Sequence, residues 1–202
     1  MDQATAEIAQ TAARLVVEEG LEWGAAKHRA LRQLGLPART ALPGNDLVEE
    51  AVREYIALFC ADTQPQELQA LRELALQWMD RLAEFRPHLA GAVWRGTATR
   101  LSDIYLQLFC DDPKSAEIAL INQHVEYEPS TVTGFTGQAV EALSIHAFCR
   151  PLNESVGVHL LVYDHDDLRG ALKPDGQGRS PRGSAEALRR LLDQDEEEAD
   201  RG

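Results

Sequence analysis

Apolar side chains recur at steps of three and four residues through positions 1–86, which is the spacing of one face of an α-helix. The pattern predicts four helices, at 4–19, 25–34, 45–59 and 63–85. Gly20 and Gly35 are suitable stops for the first two of them. We therefore expect residues 1–86 to form a helical unit that serves packing or partner recognition.

From position 87 the pattern changes to short apolar runs separated by clusters of turn-forming residues, which is typical of β-strands. The predicted strands are 88–94, 103–109, 116–122, 139–149 and 156–163. A last helix is expected after Ser184, which is a good N-cap residue. The sequence thus predicts an α+β fold, with a helical unit at 1–86, a small mixed-sheet domain at 87–192 and an acidic tail at 193–202.

Turn residues between the predicted strands indicate two antiparallel hairpins. The turn that begins at Asp111 would join 103–109 to 116–122 and bring Glu117 near Asp103. A second turn near Asn153 would set His146 across from His159, a pair that could bind a transition metal.

The segment from Gly91 to Phe109 has the most specific spacing in the chain. It reads as a strand, a tight turn with a short helix, and a second strand that follows Ser102. Gly91 and Gly96 can adopt backbone angles that other residues avoid. Asp103 and Tyr105 are expected on one face of the second strand, because side chains alternate along a strand.

At these residues the chain resembles the nucleotidyltransferase superfamily, which has the fold of polymerase β-like and antitoxin-type enzymes. The family motif is a Gly-Ser pair, a further glycine, and then Ser-Asp-x-Asp on a strand. Gly91, Gly96, Ser102 and Asp103 match it without a gap. The whole-chain pattern also resembles a group of uncharacterised bacterial proteins, a likeness that implies no activity.

The resemblance implies a site that binds a nucleotide with Mg²⁺. It implies two carboxylates on one strand face and a third from a neighbouring strand, which together hold the metal ions. Asp103 is the first, and either Glu117 or Glu141 could be the third; Asp103 and Glu117 are the candidate metal ligands. The candidate nucleotide contacts are Gly91, Arg95, Gly96, Thr97 and Ser102.

Two departures from the motif change what the resemblance implies. The family serine is Ala92, so Thr97 or Thr99 would have to supply that hydroxyl. The second family carboxylate is Tyr105, and a phenol with a pKa near 10 is a poor ligand for Mg²⁺. We therefore expect nucleotide binding with weak or lost nucleotidyl transfer, as in a pseudoenzyme.

Composition narrows the classes of function. The net charge of −13 argues against a general nucleic-acid binder, because affinity for phosphate backbones comes largely from Lys and Arg. Three distant cysteines indicate neither a disulfide framework nor a zinc site. The sequence shows no leader segment and no long apolar run, so we expect a soluble cytoplasmic protein without membrane contact.

Other partner-binding functions stay open. The basic segment 27–39 could belong to a helix-turn-helix reader, although the turn that follows it is long for that motif. The loop at 169–183 is the most basic in the chain and could close over phosphates. The alternative to a nucleotide-binding protein is a non-catalytic scaffold that meets a protein partner through the helical unit or this loop.

Overall fold

A computed structural model describes residues 3–176 and 178–199. The helices are α1 (Gln3–Glu19), α2 (Trp23–Gln33), α3 (Asn45–Phe59), α4 (Gln64–Arg81), α5 (Gly91–Arg95), α6 (Lys114–Asn122), α7 (Asp167–Ala171) and α8 (Ala185–Ala199). The strands are β1 (His88–Ala90), β2 (Ile104–Cys110), β3 (Glu128–Thr133), β4 (Ala139–Cys149), β5 (Glu154–Asp164) and β6 (Arg182–Ser184). Gln177 of the basic loop and residues 200–202 of the acidic tail lie outside the described residues.

The chain divides into two compact units, the first of which contains residues 3–66 and 97–101. Its helices bury the apolar positions that the periodicity marks: Ile8, Ala12 and Leu15 of α1 pack with α2, and Ala9, Ala13 and Val17 pack with α3. Gly20 ends α1 with a positive φ of 68°. The first three predicted helices are therefore confirmed.

The second unit contains residues 67–96 and 102–199 and is built on a six-stranded sheet. The strand order is β3-β4-β5-β2-β1-β6, with β2 and β5 parallel and every other neighbouring pair antiparallel. The mixed α+β class predicted from the sequence is confirmed. None of the described helices is both long and apolar enough to span a membrane.

The two faces of this sheet differ in polarity. On one face, Ile104, Leu106 and Leu108 of β2 and Val158 and Leu160 of β5 are fully buried. The opposite face carries a row of directly paired residues from five strands, in the order Ser144, His159, Tyr105, Ala90 and Arg182. We call this set the Tyr105 row. Its polar members place the candidate functional site on the face opposite these fully buried apolar residues.

The predicted strand at 116–122 is wrong, because these residues belong to α6. Ala116 and Leu120 are fully buried whereas Ile118 and Ile121 are exposed, a four-residue spacing that suits a helix. The Asp112 side chain accepts a hydrogen bond of 2.9 Å from the Lys114 amide at the start of α6. The predicted hairpin of 103–109 with 116–122 therefore does not form, and β2 pairs with β1 and β5 instead.

The second predicted hairpin is confirmed, since β4 and β5 pair as antiparallel neighbours. Its predicted register is wrong by two residues. Ser144 lies opposite His159, and His146 lies opposite Gly157. A serine and a histidine therefore face each other where two histidines were expected.

Candidate functional site at Asp103

Gly91 forms the turn between β1 and α5. Its φ is 73°, a left-handed conformation that favours glycine, and Gly96 ends α5 with a φ of 83°. A Cβ atom at position 91 would lie 3.6 Å from Cδ2 of Tyr105. The turn therefore runs directly beside the Tyr105 ring, and the special backbone angles expected at both glycines are present.

Asp103 lies immediately before β2 and is held by β5. Its Oδ1 accepts a hydrogen bond of 3.2 Å from the Gly157 amide, and its Oδ2 lies 2.9 Å from Nε2 of His159. A Cβ atom at position 157 would lie 2.8 Å from the Asp103 Cγ. Only glycine lets the carboxylate approach the strand this closely, so Gly157 is part of the site.

The hydrogen bond from His159 is the main reason that the pKa of Asp103 lies below its ordinary value of 3.8. The Gly157 amide and the charge of His146 act in the same direction, whereas partial burial opposes them. The carboxylate is therefore ionised near neutral pH and can only accept hydrogen bonds. It follows that Nε2 of His159 carries the proton in the contact with Asp103.

Ser144 extends the arrangement to a third strand. Its Oγ lies 2.8 Å from Nδ1 of His159. When His159 is neutral with its proton on Nε2, Nδ1 accepts the hydrogen bond and the Ser144 hydroxyl donates it. The result is a continuous chain from the Ser144 hydroxyl through His159 to the Asp103 carboxylate, and we call it the Ser144–His159–Asp103 chain.

Tyr105 packs against the middle of this chain. Its ring centroid lies 4.9 Å from that of His159, with the two planes tilted by 32°. The His159 and Asp103 side chains remain 24% and 45% exposed. The site is thus open to solvent, with two neighbouring rings and a polarised hydroxyl at its surface.

Glu117 and Glu141 lie together, but their shared partner is Lys114. The Lys114 Nζ lies 2.9 Å from Oε2 of Glu117 and 3.1 Å from Oε1 of Glu141. The Tyr127 hydroxyl also donates to Glu117 at 2.8 Å. Lys114, followed by Tyr127, lowers the pKa of Glu117, and the two glutamates raise the pKa of Lys114 to about 12.

The sheet register separates these glutamates from Asp103. Glu141 pairs with Val162, five positions along β5 from Gly157, which contacts Asp103. At ~3.3 Å per residue, five positions correspond to about 16 Å along the strand. The structure therefore does not bring Glu117 or Glu141 to Asp103; β5 brings His159 there instead.

The donor set around Asp103 does not fit a magnesium site. Both Asp103 oxygens already accept hydrogen bonds, and the side chain beside it is an imidazole. Mg²⁺ prefers oxygen ligands in octahedral geometry. Within residues 3–176 and 178–199, no three His, Cys, Asp or Glu side chains are grouped in a way that could hold a metal ion.

The other candidate nucleotide contacts divide between the two units. Gly91, Arg95, Gly96 and Ser102 belong to the second unit, and Thr97 belongs to the first. Thr97 is buried, and its hydroxyl has no hydrogen-bond partner among the described residues. Thr99 also lies in the first unit, where its hydroxyl accepts a 3.4 Å hydrogen bond from the Leu101 amide.

The sequence pattern also marks site residues that lie outside the nucleotidyltransferase motif. Ser144 and His146 in β4, and Gly157 and His159 in β5, stand at alternate positions between buried apolar residues. This alternation marks one polar face on two neighbouring strands. The signal could not show which of these residues face each other, because that depends on register.

Comparison with known protein families, with curated proteins and with solved structures finds no match to this chain. The resemblance to nucleotidyltransferases therefore rests on the residues between Gly91 and Asp103 alone.

Proposed function

We propose that this protein is a divergent nucleotidyltransferase-type protein that binds a nucleotide without a two-metal centre and has lost efficient nucleotidyl transfer. The observation that carries the proposal is the state of Asp103. This carboxylate is held by His159 and Gly157, immediately before the strand that follows the glycine turn at position 91. The glycine turn and the first carboxylate of the motif are present, but that carboxylate is paired with His159.

The neighbouring side chains support a loss of transfer. The resemblance calls for a second carboxylate at position 105 and a third from an adjacent strand. The side chains at the corresponding place are Tyr105 and His159, which pair directly between β2 and β5. Two metal ions stabilise both the attacking and the leaving oxygens of phosphoryl transfer, a contribution of several kcal/mol that this donor set cannot supply.

Nucleotide binding is supported by two partly exposed rings. Tyr105 and His159 pack side by side, and aromatic side chains stack on nucleic acid bases with little dependence on sequence. The Gly91 turn runs beside Tyr105, so backbone rather than a bulky side chain borders that ring. We propose that the base stacks at Tyr105.

The test is calorimetry with the four ribonucleoside triphosphates, once in excess EDTA and once with Mg²⁺. We expect the dissociation constant to differ by less than about twofold between the two conditions. Replacement Tyr105→Leu should weaken binding by about tenfold, in line with ~1–3 kcal/mol per stacked base. Phe148→Leu is the matched control, since this ring is exposed on β4 and pairs at Ser155, away from the site.

Binding that requires Mg²⁺, or transfer that depends on it, would contradict the proposal. Absence of binding for all four nucleotides would favour the non-catalytic scaffold instead. That function has its own supporting observation, because Leu58 and Phe59 at the end of α3 are 75% and 69% exposed. A pull-down with the full chain would test the scaffold function. Proteins that are captured by the parent but not by a Leu58→Ser, Phe59→Ser double variant would support it.

A second candidate function is metal-independent attack by Ser144 on a carboxylic ester. The 2.8 Å contact between its Oγ and Nδ1 of His159 favours it, because His159 can take the hydroxyl proton as a general base. The Ser144 oxygen would bond to the acyl carbon, and His159 would pass the proton to the departing alcohol. Water would then attack the acyl carbon and give a proton to His159, which returns it to the Ser144 oxygen as the acyl–Ser144 bond breaks and the carboxylic acid leaves.

Labelling with a fluorophosphonate probe tests this candidate. We expect modification at Ser144, its loss in His159→Gln and a lower rate in Asp103→Asn. Ser155→Ala is the control, because Ser155 is an exposed serine on the neighbouring β5. A parent protein that takes no label, or takes it equally in His159→Gln, would exclude activation through this chain.

A further inference from the structure

Two arginines of the second unit are buried, at 5% exposure for Arg72 and 8% for Arg182. Arg72 has a full set of partners. Its Nη1 lies 2.7 Å from Oδ2 of Asp195, and its Nε donates to the Val93 carbonyl at 3.1 Å. A buried guanidinium that is both paired and hydrogen-bonded is the usual arrangement in proteins.

Arg182 lacks such a partner. Its Nη1 donates to the Ala171 carbonyl, and its guanidinium lies 4.6 Å from the Phe135 ring centroid. Its Nε has no hydrogen-bond partner, and no carboxylate in the described part of the chain forms an ion pair with it. The positive charge of Arg182 is therefore buried without an opposite charge.

The groups around Arg182 do not neutralise it. The Phe135 ring packs on Tyr163 at 4.5 Å between centroids, and the Tyr163 oxygen accepts a 3.2 Å hydrogen bond from the Phe135 amide. Burial lowers the pKa of His88, and the charge of Arg182 acts in the same direction. Burial likewise lowers the pKa of Arg182 itself. Among the described residues, none of the printed contacts of Arg182 supplies a negative charge.

We propose that Arg182 binds a phosphate group of the ligand. The inference rests on the proposed nucleotide binding for the identity of that ligand. Arg182 and Tyr105 both pair with Ala90 in the Tyr105 row, so their backbones are two strand spacings apart, about 10 Å. The guanidinium itself lies beside Phe135, whose ring packs on Tyr163, and Tyr163 stands four positions, about 13 Å, along β5 from His159. The phosphates of a nucleotide whose base stacks on Tyr105 would therefore run obliquely across this face of the sheet to reach Arg182.

A guanidinium can replace a metal ion as the positive partner of a phosphate, because its donors form paired hydrogen bonds with two phosphate oxygens. The segment between β5 and β6 adds exposed positive side chains, Arg169 in α7 and Lys173 beyond it. Arg179 contributes less, since its Nε lies 3.2 Å from Oδ2 of Asp175 within the same loop. Phosphate recognition at Arg182 is thus consistent with a site that uses no magnesium.

The experiment measures thermal unfolding at constant ionic strength, with inorganic phosphate replacing chloride, for the parent, Arg182→Met and Arg72→Met. Without phosphate, Arg182→Met should melt no lower than the parent, because it removes an unpaired buried charge. Arg72→Met should melt lower, because it leaves Asp195 without its partner. Phosphate should raise the melting temperature of the parent and of Arg72→Met, and leave Arg182→Met unchanged.

The inference would be overturned if Arg182→Met were destabilised as strongly as Arg72→Met and phosphate shifted none of the three proteins. Arg182 would then serve only to hold Ala171 and Phe135. Nucleotide calorimetry on the same proteins separates the phosphate role of Arg182 from the proposed nucleotide binding. We expect a tenfold loss of affinity in Arg182→Met. Equal nucleotide binding by parent and variant would defeat the phosphate role alone, whereas a phosphate shift without nucleotide binding would defeat the proposed function alone.

Discussion

The two ends of β2 both carry acidic groups, yet they hold them differently. At the beginning of the strand, Asp103 is partly buried against Gly157 and bonded to a histidine. Beyond its end, Glu117 is paired with the exposed Lys114, which also reaches Glu141. Acidic residues at opposite ends of one strand therefore belong to separate sites. The partner of each carboxylate, rather than its presence in a motif, determines what chemistry it can perform.

The largest effect is expected from Gly157→Ala, which tests the close approach of Asp103. The added Cβ would meet the carboxylate at 2.8 Å, so either Asp103 or β5 must move. Forcing an atom into a packed region costs about 2 kcal/mol. Urea unfolding should show a loss of that size, and the His159 resonances should shift with it.

Gly24→Ala is the matched control for Gly157→Ala. Nothing lies within 4 Å of a Cβ placed at Gly24, which stands in α2 of the first unit. Alanine is preferred over glycine in a helix by about 1 kcal/mol. The control should therefore be as stable as the parent or more so, and a loss equal to that of Gly157→Ala would refute the steric explanation.

A smaller effect is expected from Asp103→Asn, and it should depend on pH. The pKa of Asp103 is lower in the folded protein than in the unfolded chain, so its ionised form adds stability above the ordinary value of 3.8. That contribution is lost as the pH falls through the folded pKa. Because the side chain is 45% exposed, we expect only about 1 kcal/mol at pH 7.

Urea unfolding of parent and Asp103→Asn between pH 7 and pH 2 checks this prediction. The difference in unfolding free energy should shrink as the pH falls below the ordinary aspartate pKa of 3.8. A difference that stays constant down to pH 2 would show that the carboxylate charge contributes nothing at this position.

The smallest effect on stability is expected from Lys114→Met at the other end of β2, because this ion pair is exposed to solvent. The pKa of Glu117 should rise toward its ordinary value but not reach it, since Tyr127 still donates to the carboxylate. Carboxyl carbon resonances followed through a pH titration measure this. The Asp103 titration should not change, and a shift there would contradict the separation of the two sites.

Local patterns predicted the parts of the fold that depend on neighbouring residues. The early helices, the β4–β5 hairpin and the glycine turn at position 91 all follow from periodicity and turn residues. The segment 116–122 was predicted as a strand, which is wrong, because a short apolar segment is compatible with both a helix and a strand. The exposed strand β3 was missed because it has no buried face to mark it.

The candidate site depended on information that local patterns lack. The parallel pairing of β2 with β5 joins residues more than fifty positions apart, and it alone brings His159 to Asp103. A two-residue error in the β4–β5 register exchanged Ser144 for His146. Asp103 itself was found from its motif, whereas its partner could be found only from the sheet topology.

The most direct test of the account is the protonation of His159, read from long-range ¹H–¹⁵N spectra and assigned with the His159→Gln variant. We predict that Nε2 carries a proton, which it donates to Asp103, and that Nδ1 accepts the hydrogen bond from Ser144. Addition of Mg²⁺ and a nucleotide should leave that proton in place. A proton on Nδ1, or loss of the Nε2 contact when magnesium is added, would show that Asp103 is available to a metal and would contradict the central claim.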